Sequence, residues 1–139
     1  MEAELLARIR AAAASVLPGR GVLAAYVHGS RVSGRPRPES DLDIGYYPLP
    51  GSAGLRLEEE LRLAARLTEA IGLPVDLHNL AEAPLDLRGS VLEEGIRIHS
   101  ANEPLRVDLE VGLLARYHDY KEEYRRLHAE RLAGLAARV

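Results

Sequence analysis

Two aspartates, Asp41 and Asp43, interrupt an otherwise apolar stretch of the sequence and stand two residues apart. Residues at this spacing point to the same face of a β-strand and lie about 6–7 Å apart along it. Two carboxylates so close repel each other, and a divalent cation removes that repulsion most simply. Magnesium prefers oxygen ligands and commonly uses one or two carboxylates together with the phosphates of a substrate. The pair therefore predicts a metal site that also receives a nucleotide.

The segment in front of the aspartates has the features of a phosphate-binding turn. Gly29 lets the backbone approach a ligand closely, and Ser30 can cap a short helix that Pro36 would end. The first N–H groups of such a helix would face phosphate oxygens, and Gly34 keeps the following turn open. Arginines that could neutralise a polyphosphate surround the turn, at Arg31, Arg35 and Arg37.

A third carboxylate, Asp76, interrupts another apolar strand pattern. If this strand lies beside the first, Asp41, Asp43 and Asp76 could together hold two metal ions. One ion would polarise an attacking hydroxyl and the other the α-phosphate and leaving pyrophosphate, with Asp76 as the proton acceptor. The alternative interpretation is that these aspartates face solvent, beside a turn and at a strand edge.

Two histidines lie close to these residues in the sequence. His78 shares the face of Asp76, and we expect a surface histidine or one with an ordinary hydrogen-bond partner, although a contact with substrate or with the site residues stays open. His28 directly precedes Gly29, and we expect it to support the turn.

Helices and strands alternate along the chain. Apolar residues at helical spacing predict helices at 2–17, 57–71 and 85–94 and a long helix from Asn102 onward. Short apolar or alternating runs predict strands at 22–27, 41–47, 75–80 and 96–99. This order of elements predicts an α/β sandwich.

Composition narrows the class of protein. A chain of 139 residues fits one domain with a single core. The absence of cysteine excludes a disulfide framework, a zinc knuckle and a thiol nucleophile. The net charge of −3 argues against a general nucleic-acid binder, and no apolar run approaches the roughly 18 residues of a membrane span. We expect a cytoplasmic enzyme or binding module, with no membrane association and no stable binding of nucleic acid.

The string GSRVSG at 29–34, followed by SDLD at 40–43, resembles the signature of the minimal nucleotidyltransferases, a family of the DNA polymerase beta-like nucleotidyltransferase superfamily. The VDL at 75–77 is similar to the family's third carboxylate motif. The resemblance covers roughly residues 10 to 100. It implies the polymerase beta-like fold, an α/β structure with a small mixed sheet flanked by helices, here with a long C-terminal helix. It also implies Mg²⁺-dependent transfer of a nucleoside monophosphate, AMP from ATP in the first instance, to a hydroxyl.

The same resemblance assigns site residues. Catalytic and metal-binding roles in a two-metal site pass to Asp41, Asp43 and Asp76, and nucleotide-binding roles to Gly29, Ser30, Arg31, Gly34 and Ser40. The sequence departs from the family at 32–33, where Val-Ser replaces the common alanine and basic residue. The extra helical domain with which larger members hold their acceptor is also missing, so the resemblance leaves the acceptor site to another element or another chain.

The C-terminal region carries a narrow seam of apolar and aromatic side chains at four-three spacing, formed by Leu113, Tyr117, Tyr120, Tyr124 and Leu127. About 33 helical residues would span roughly 50 Å, whereas a domain of this size is about 35 Å across. We therefore expect a nucleotidyltransferase domain at 1–101 and a helical extension at 102–139 that contacts another chain. A homodimer through this helix is one form of that contact, and packing of the whole seam on the chain's own sheet is the alternative.

Minimal nucleotidyltransferases are commonly encoded beside a small helical toxin of the HEPN ribonuclease class. The resemblance implies that this chain is the antitoxin and transfers AMP to a tyrosine of such a partner. Two further hypotheses remain at this point: transfer to a small molecule such as an antibiotic hydroxyl, and a binding module that neutralises its partner without chemistry.

Overall fold

The computed structural model describes residues 1–32 and 41–138, and their strands form one mixed four-stranded sheet in the order β3-β2-β1-β4. Strand β1 pairs antiparallel with β2 and β4, while β2 and β3 run parallel. This arrangement confirms the predicted α/β fold with a small mixed sheet. In chain order the elements are α1 Ala3–Val16, β1 Val22–His28, β2 Leu42–Pro48, α2 Leu57–Ile71, β3 Val75–Asn79, a 3-10 turn at Leu80–Glu82, α3 Leu85–Glu94, β4 Ile96–Ser100 and α4 Glu103–Ala136.

The main core lies between one face of the sheet and the helices α1 and α2. Alternate strand residues supply its sheet side, among them Val27, Leu42 and Ile44, which are fully buried. Leu67 and Ile71 of α2 pack against this face. Leu57 and Leu61 are among the apolar residues whose spacing predicts this helix, but they are 70% and 62% exposed and lie outside its buried stripe. The helix itself was predicted correctly, but its inward face begins only at Leu63.

A second, smaller apolar cluster covers part of the opposite face of the sheet. Its members come from the strands, the 3-10 turn, α3 and α4, namely Leu23, Ala24, Tyr26, Tyr47, Leu80, Val91 and Leu113. The rings of Tyr26 and Tyr47 meet edge to face with their centroids 6.2 Å apart. Since this cluster covers only part of that face, the ends of β1, β2 and β3 beyond it are available for a site.

Helix α4 is continuous through Gly112 and contains 34 residues, which corresponds to about 51 Å. Asn102 caps its start by accepting a hydrogen bond from the Leu105 N–H at 3.1 Å. Leu113 and Tyr117 of the seam are buried, whereas Tyr120 and Tyr124 are 43% and 59% exposed. Part of the helix thus leaves the core, as its length predicted.

A charged network anchors the first turns of α4 on the sheet. Arg106 is buried and pairs with Glu103 at 2.6 Å and with Glu110 at 2.8 Å. The Tyr26 hydroxyl of β1 donates to Glu110 Oε1 at 2.6 Å. Strand β1 and α4 are therefore joined by a hydrogen bond to a charged group, a strong class of contact. None of the helices within residues 1–32 and 41–138 is both long enough and apolar enough to span a bilayer.

Helices α3 and α4 meet at Gly89, where the ring of Tyr117 lies so close that a Cβ atom would overlap it. We expect Gly89→Ala to lower the free energy of unfolding by about 1–3 kcal/mol, because overpacking forces this contact apart. Urea denaturation followed by circular dichroism measures the change. Gly134→Ala is the matched control, since nothing lies within 4 Å of the added methyl and a helical Gly→Ala change stabilises by about 0.5–1 kcal/mol. Equal effects at the two glycines would contradict the packing described.

Candidate active site

The pairing of three strands places His28, Asp43 and Asp76 in one row across the sheet. Asp43 of β2 is in register with His28 of β1 on one side and with Asp76 of β3 on the other. Neighbouring strands are about 4.8 Å apart, so the side chains of this row stand next to one another. Asp41 lies directly before β2 and is exposed. The three carboxylates singled out in the sequence thus lie at the same end of the sheet.

Electrostatic repulsion marks the position of Asp43. Its partial burial raises the pKa of the carboxyl group, and the negative charges of Asp76 and Asp41 raise it further, while His78 lowers it. Both the burial and the neighbouring anions disfavour the ionised form. A cation bound at this place would favour that form and relieve the repulsion.

The turn that follows β1 presses its backbone against the Asp43 carboxylate. Gly29 has a φ of +85°, and a Cβ atom added there would overlap Asp43 Oδ2. Only glycine therefore permits both the backbone conformation and the close approach. Ser30 and Arg31 continue this turn, in which the Val32 N–H donates to the Gly29 carbonyl at 3.1 Å.

The other residues predicted to bind phosphate lie outside the part of the chain that the structure describes. Gly34 and Ser40 lie outside them, as do Arg35, Arg37 and most of the short helix expected to end at Pro36. The nucleotide-binding roles assigned to Gly34 and Ser40 therefore stay predictions.

Two histidines lie beside the carboxylates and contact each other, a pairing that the sequence did not predict. His28 Nε2 and His78 Nε2 are 2.9 Å apart, and the two rings are nearly perpendicular with centroids 4.9 Å apart. One nitrogen must donate and the other accept, so at least one of the rings is neutral. Burial and the neighbouring His78 lower the pKa of His28 to about 4, although Asp76 opposes the shift. The alternation in β3 already placed His78 on the face of Asp76, but the pairing depends on strand order, which periodicity does not reveal.

An open cavity of about 530 Å³ lies between the end of β1 and helix α3. The sheet side contributes His28, Gly29 and Val32, and α3 contributes Leu87, Ser90, Val91 and Glu94. Binding clefts for small molecules commonly combine such apolar walls with a few polar groups. Because Gly29 also lies against Asp43, one end of this cavity is beside the carboxylates.

The donor set fits a hard divalent cation, although the side chains are not already arranged as a ligand cluster. Among residues 1–32 and 41–138, no three histidine or carboxylate side chains are grouped closely enough to hold a metal ion together. Asp43 and Asp76 nevertheless project from neighbouring positions of the sheet, and carboxylate oxygens are the ligands that Mg²⁺ prefers. The raised pKa of Asp43 comes from its burial and from the negative charges of Asp76 and Asp41, and a bound cation would offset both effects. Asp43 and Asp76 would hold the ion, and the exposed Asp41 is close enough in sequence to join them.

Comparison with protein families gives one match, to the family described as "Polymerase beta, Nucleotidyltransferase", over residues 14–104. No curated protein sequence matches the chain significantly. A solved structure described as a candidate minimal nucleotidyltransferase is 31% identical with a TM-score of 0.56, over 69% of this chain and 95% of that one.

Two further solved structures resemble the chain along most of its length. One belongs to a toxin–antitoxin complex with AMP-PNP and has a TM-score of 0.64 and 20% identity over 91% of this chain and 98% of that one. Another belongs to a Shewanella oneidensis complex of a tri-AMPylated HEPN toxin with an MNT antitoxin, with a TM-score of 0.61 and 19% identity over 95% of this chain and 99% of that one. At these identities the two structures show a shared fold.

The low pKa of His28 predicts a pH dependence of stability. A folded-state pKa of about 4, below the ordinary 6.5, stabilises the folded state above pH 6.5, and this contribution is lost as the pH falls from 6.5 through 4. When the pH is lowered from 7.5 to 5.0, we expect the free energy of unfolding of wild type to fall by about 1 kcal/mol more than that of His28→Gln, allowing for solvent screening. Urea denaturation at the two pH values measures the difference. His128→Gln, on the exposed part of α4, should behave as wild type; an identical loss in all three proteins would refute the assignment.

Proposed function

We propose that this chain, which belongs to the polymerase beta nucleotidyltransferase family and within it to the minimal nucleotidyltransferases, transfers AMP from ATP to a tyrosine hydroxyl of a HEPN-type toxin and so acts as its antitoxin. The reaction depends on Mg²⁺ and takes place in the cytoplasm. The carboxylates that carry out this reaction are those of Asp41, Asp43 and Asp76.

The in-register row of Asp43 and Asp76, with Gly29 pressed against the Asp43 carboxylate, carries this proposal. The row concentrates negative charge at the end of the sheet where the turn at Gly29 and Ser30 offers backbone to a phosphate. The adjoining cavity, lined by Gly29 and α3, has room for the nucleoside. A site of this construction favours a nucleotide whose phosphates lie at the carboxylates.

Asp76 is the residue placed to accept the proton of the attacking hydroxyl, because it is exposed on strand β3 beside Asp43. The hydroxyl oxygen forms a bond to the α-phosphorus, the bond from that phosphorus to the bridging oxygen breaks, and pyrophosphate leaves. The hydroxyl proton passes to the Asp76 carboxylate. Asp41, Asp43 and Asp76 would hold Mg²⁺, which when bound would stabilise the negative charge of the phosphates. Gly29 and Ser30 orient the phosphate chain against these carboxylates.

The neighbours of this fold support the choice of AMP and of a HEPN toxin, whereas the choice of a tyrosine comes from the family resemblance. One neighbour comes from a complex with AMP-PNP and another from a complex that contains a tri-AMPylated HEPN toxin. A protein acceptor also agrees with the division that we propose for the chain, a nucleotidyltransferase domain at 1–101 and a helical extension at 102–139.

The exposed part of α4 is the element that we assign to partner binding. Tyr117, Tyr120 and Tyr124 border a shallow groove of about 420 Å³ together with Asp86, Lys121 and Arg125. Tyrosine and arginine are enriched in protein interfaces because they combine a large contact area with a polar end. This groove begins where the seam leaves the core, so a partner seated there would lie beside α3 and near the active-site cavity that α3 lines.

Transfer should be visible with ATP labelled at the α-phosphate. Purified protein, Mg²⁺ and lysate of the source organism should yield a labelled small protein, whereas γ-labelled ATP should leave it unlabelled because the γ-phosphate departs in pyrophosphate. Asp43→Asn should lower the rate by at least about a hundredfold, since it removes a charge that holds the metal and the phosphates.

The matched control for this experiment is Asp108→Asn, which changes an exposed aspartate on α4 and should leave the rate unchanged. A labelled small molecule in place of the protein band would move the acceptor to a metabolite or antibiotic hydroxyl. Capture of a partner without label, equally by wild type and Asp43→Asn, would establish a non-catalytic antitoxin.

Partner binding should depend on the exposed seam. We expect the double variant Tyr120→Ala/Tyr124→Ala to keep its stability within about 0.5 kcal/mol, as surface changes do, and to lose partner binding by at least tenfold in a pull-down titration. Glu122→Ala/Glu123→Ala alters another face of the same helix turn and should retain binding. The assignment of the groove is wrong if the two double variants bind alike.

A further inference from the structure

A hydrogen bond between side chains spans three strands of the sheet. His28 belongs to β1 and His78 to β3, with β2 between them, and their Nε2 atoms are 2.9 Å apart. His28 is in register with Asp43, while His78 is in register with Gly45, two residues further along β2. The bond therefore runs diagonally over β2, between Asp43 and Gly45.

Gly45 is the residue of β2 that is in register with His78. Side chains at positions 43, 45 and 47 of β2 share one face of the sheet, so Gly45 lies on the face that carries the two imidazoles. A Cβ atom there would approach the Leu80 side chain to 2.6 Å. The absence of a side chain at 45 thus makes room for Leu80 on this face of the sheet.

Of the two strands that carry Asp43 and Asp76, β3 has fewer strand neighbours, and the histidine bond gives it a further contact. Strand β3 contains five residues and lies at the edge of the sheet, where β2 is its only partner among residues 1–32 and 41–138. Its first N–H, that of Val75, is bonded to Thr68 Oγ1 of α2 at 3.0 Å. Asp76 follows at once, facing Asp43 on the neighbouring strand. Repulsion between these two carboxylates pushes β3 away from β2.

We propose that the His28–His78 bridge is a positioning device that holds Asp76 beside Asp43 against their mutual repulsion and so preforms the divalent-cation site. The bridge ties the edge strand to β1, which has neighbours on both sides, at a point two residues beyond Asp76. This inference rests on the metal site of the proposed function and extends it to two histidines beyond the carboxylates. His28 and His78 are positioning residues in this scheme.

Two substitutions at position 78 distinguish the effect of losing the hydrogen bond from the effect of losing the imidazole. In His78→Gln the amide reaches about as far as the imidazole Nε2 and can still pair with His28, whereas the amide of His78→Asn is one methylene shorter and cannot. Mn²⁺ without nucleotide is the probe, because it accepts the oxygen ligands of Mg²⁺ and its free form is counted by electron paramagnetic resonance. The same proteins are assayed for the Mg²⁺ concentration that gives half-maximal AMP transfer.

We expect His78→Asn to bind Mn²⁺ about tenfold more weakly than wild type, which corresponds to about 1.4 kcal/mol and to the loss of one hydrogen bond. His78→Gln should stay within about threefold of wild type. The Mg²⁺ requirement of transfer should shift in the same proportion, with the maximal rate at saturating Mg²⁺ largely kept. His128→Asn and His128→Gln, on the exposed part of α4, should change nothing.

The competing explanations give different patterns. Equal Mn²⁺ affinity in wild type and His78→Asn would overturn the proposal, even if thermal stability fell, because the bridge would then be structural only. Equal weakening in the Asn and Gln variants would overturn it too, since it would indicate a direct imidazole contact with the metal. If wild type transfers no AMP, the proposed function fails, yet the Mn²⁺ titration still decides the role of the bridge. As a second route, His28→Asn should weaken Mn²⁺ binding as much as His78→Asn, and the double variant should lose no more than either one.

Discussion

Negative charge on neighbouring strands is the constraint around which this end of the molecule is organised. Asp43 and Asp76 share a register position on parallel strands, and Asp41 adds a third carboxylate one residue before β2. Such a cluster destabilises the isolated chain and becomes useful only when a cation and a nucleotide occupy the site. The surroundings are adapted to this site: the absence of a side chain at Gly29 lets the backbone lie against the Asp43 carboxylate.

Much of this arrangement was readable in the sequence because periodicity reports directly on strands and helices. The predicted bounds of β2 and α3 agree with the structure within one residue, and the faces of Asp41, Asp43 and Asp76 were assigned from alternation alone. That the three aspartates come together could be predicted only if their strands were neighbours. Tertiary packing sets the order of strands in a sheet, and spacing along the sequence does not report it. The match over residues 14–104 and the observed register supply that missing step.

Features that depend on contacts across the chain could not be predicted in the same way. The His28–His78 pair joins residues fifty positions apart over a strand that neither belongs to. The second apolar cluster, with Tyr26 and Tyr47, requires knowing that α3 and α4 return to the same face. The inward stripe of α2 could not be bounded from spacing, because Leu57 and Leu61 have the spacing of a buried face and yet are exposed.

The long helix α4 has two parts with different thermodynamic origins. Its first turns are fixed by the Asn102 cap, the buried Arg106 and the packing of Leu113 and Tyr117. These contacts act as a ready nucleus, so the turns beyond Lys121 need only propagation, which costs far less than starting a helix in water. Helical order must then decline gradually toward the C-terminus, because the side-chain contacts described there, such as the Arg126–Glu123 ion pair and the stacked rings of Tyr124 and His128, lie within the helix itself. A partner that binds the turns around Tyr120 contacts a helical surface that is already ordered. For a partner that binds at Leu132 or Leu135, the free energy of binding must also offset the entropy lost when these turns become ordered.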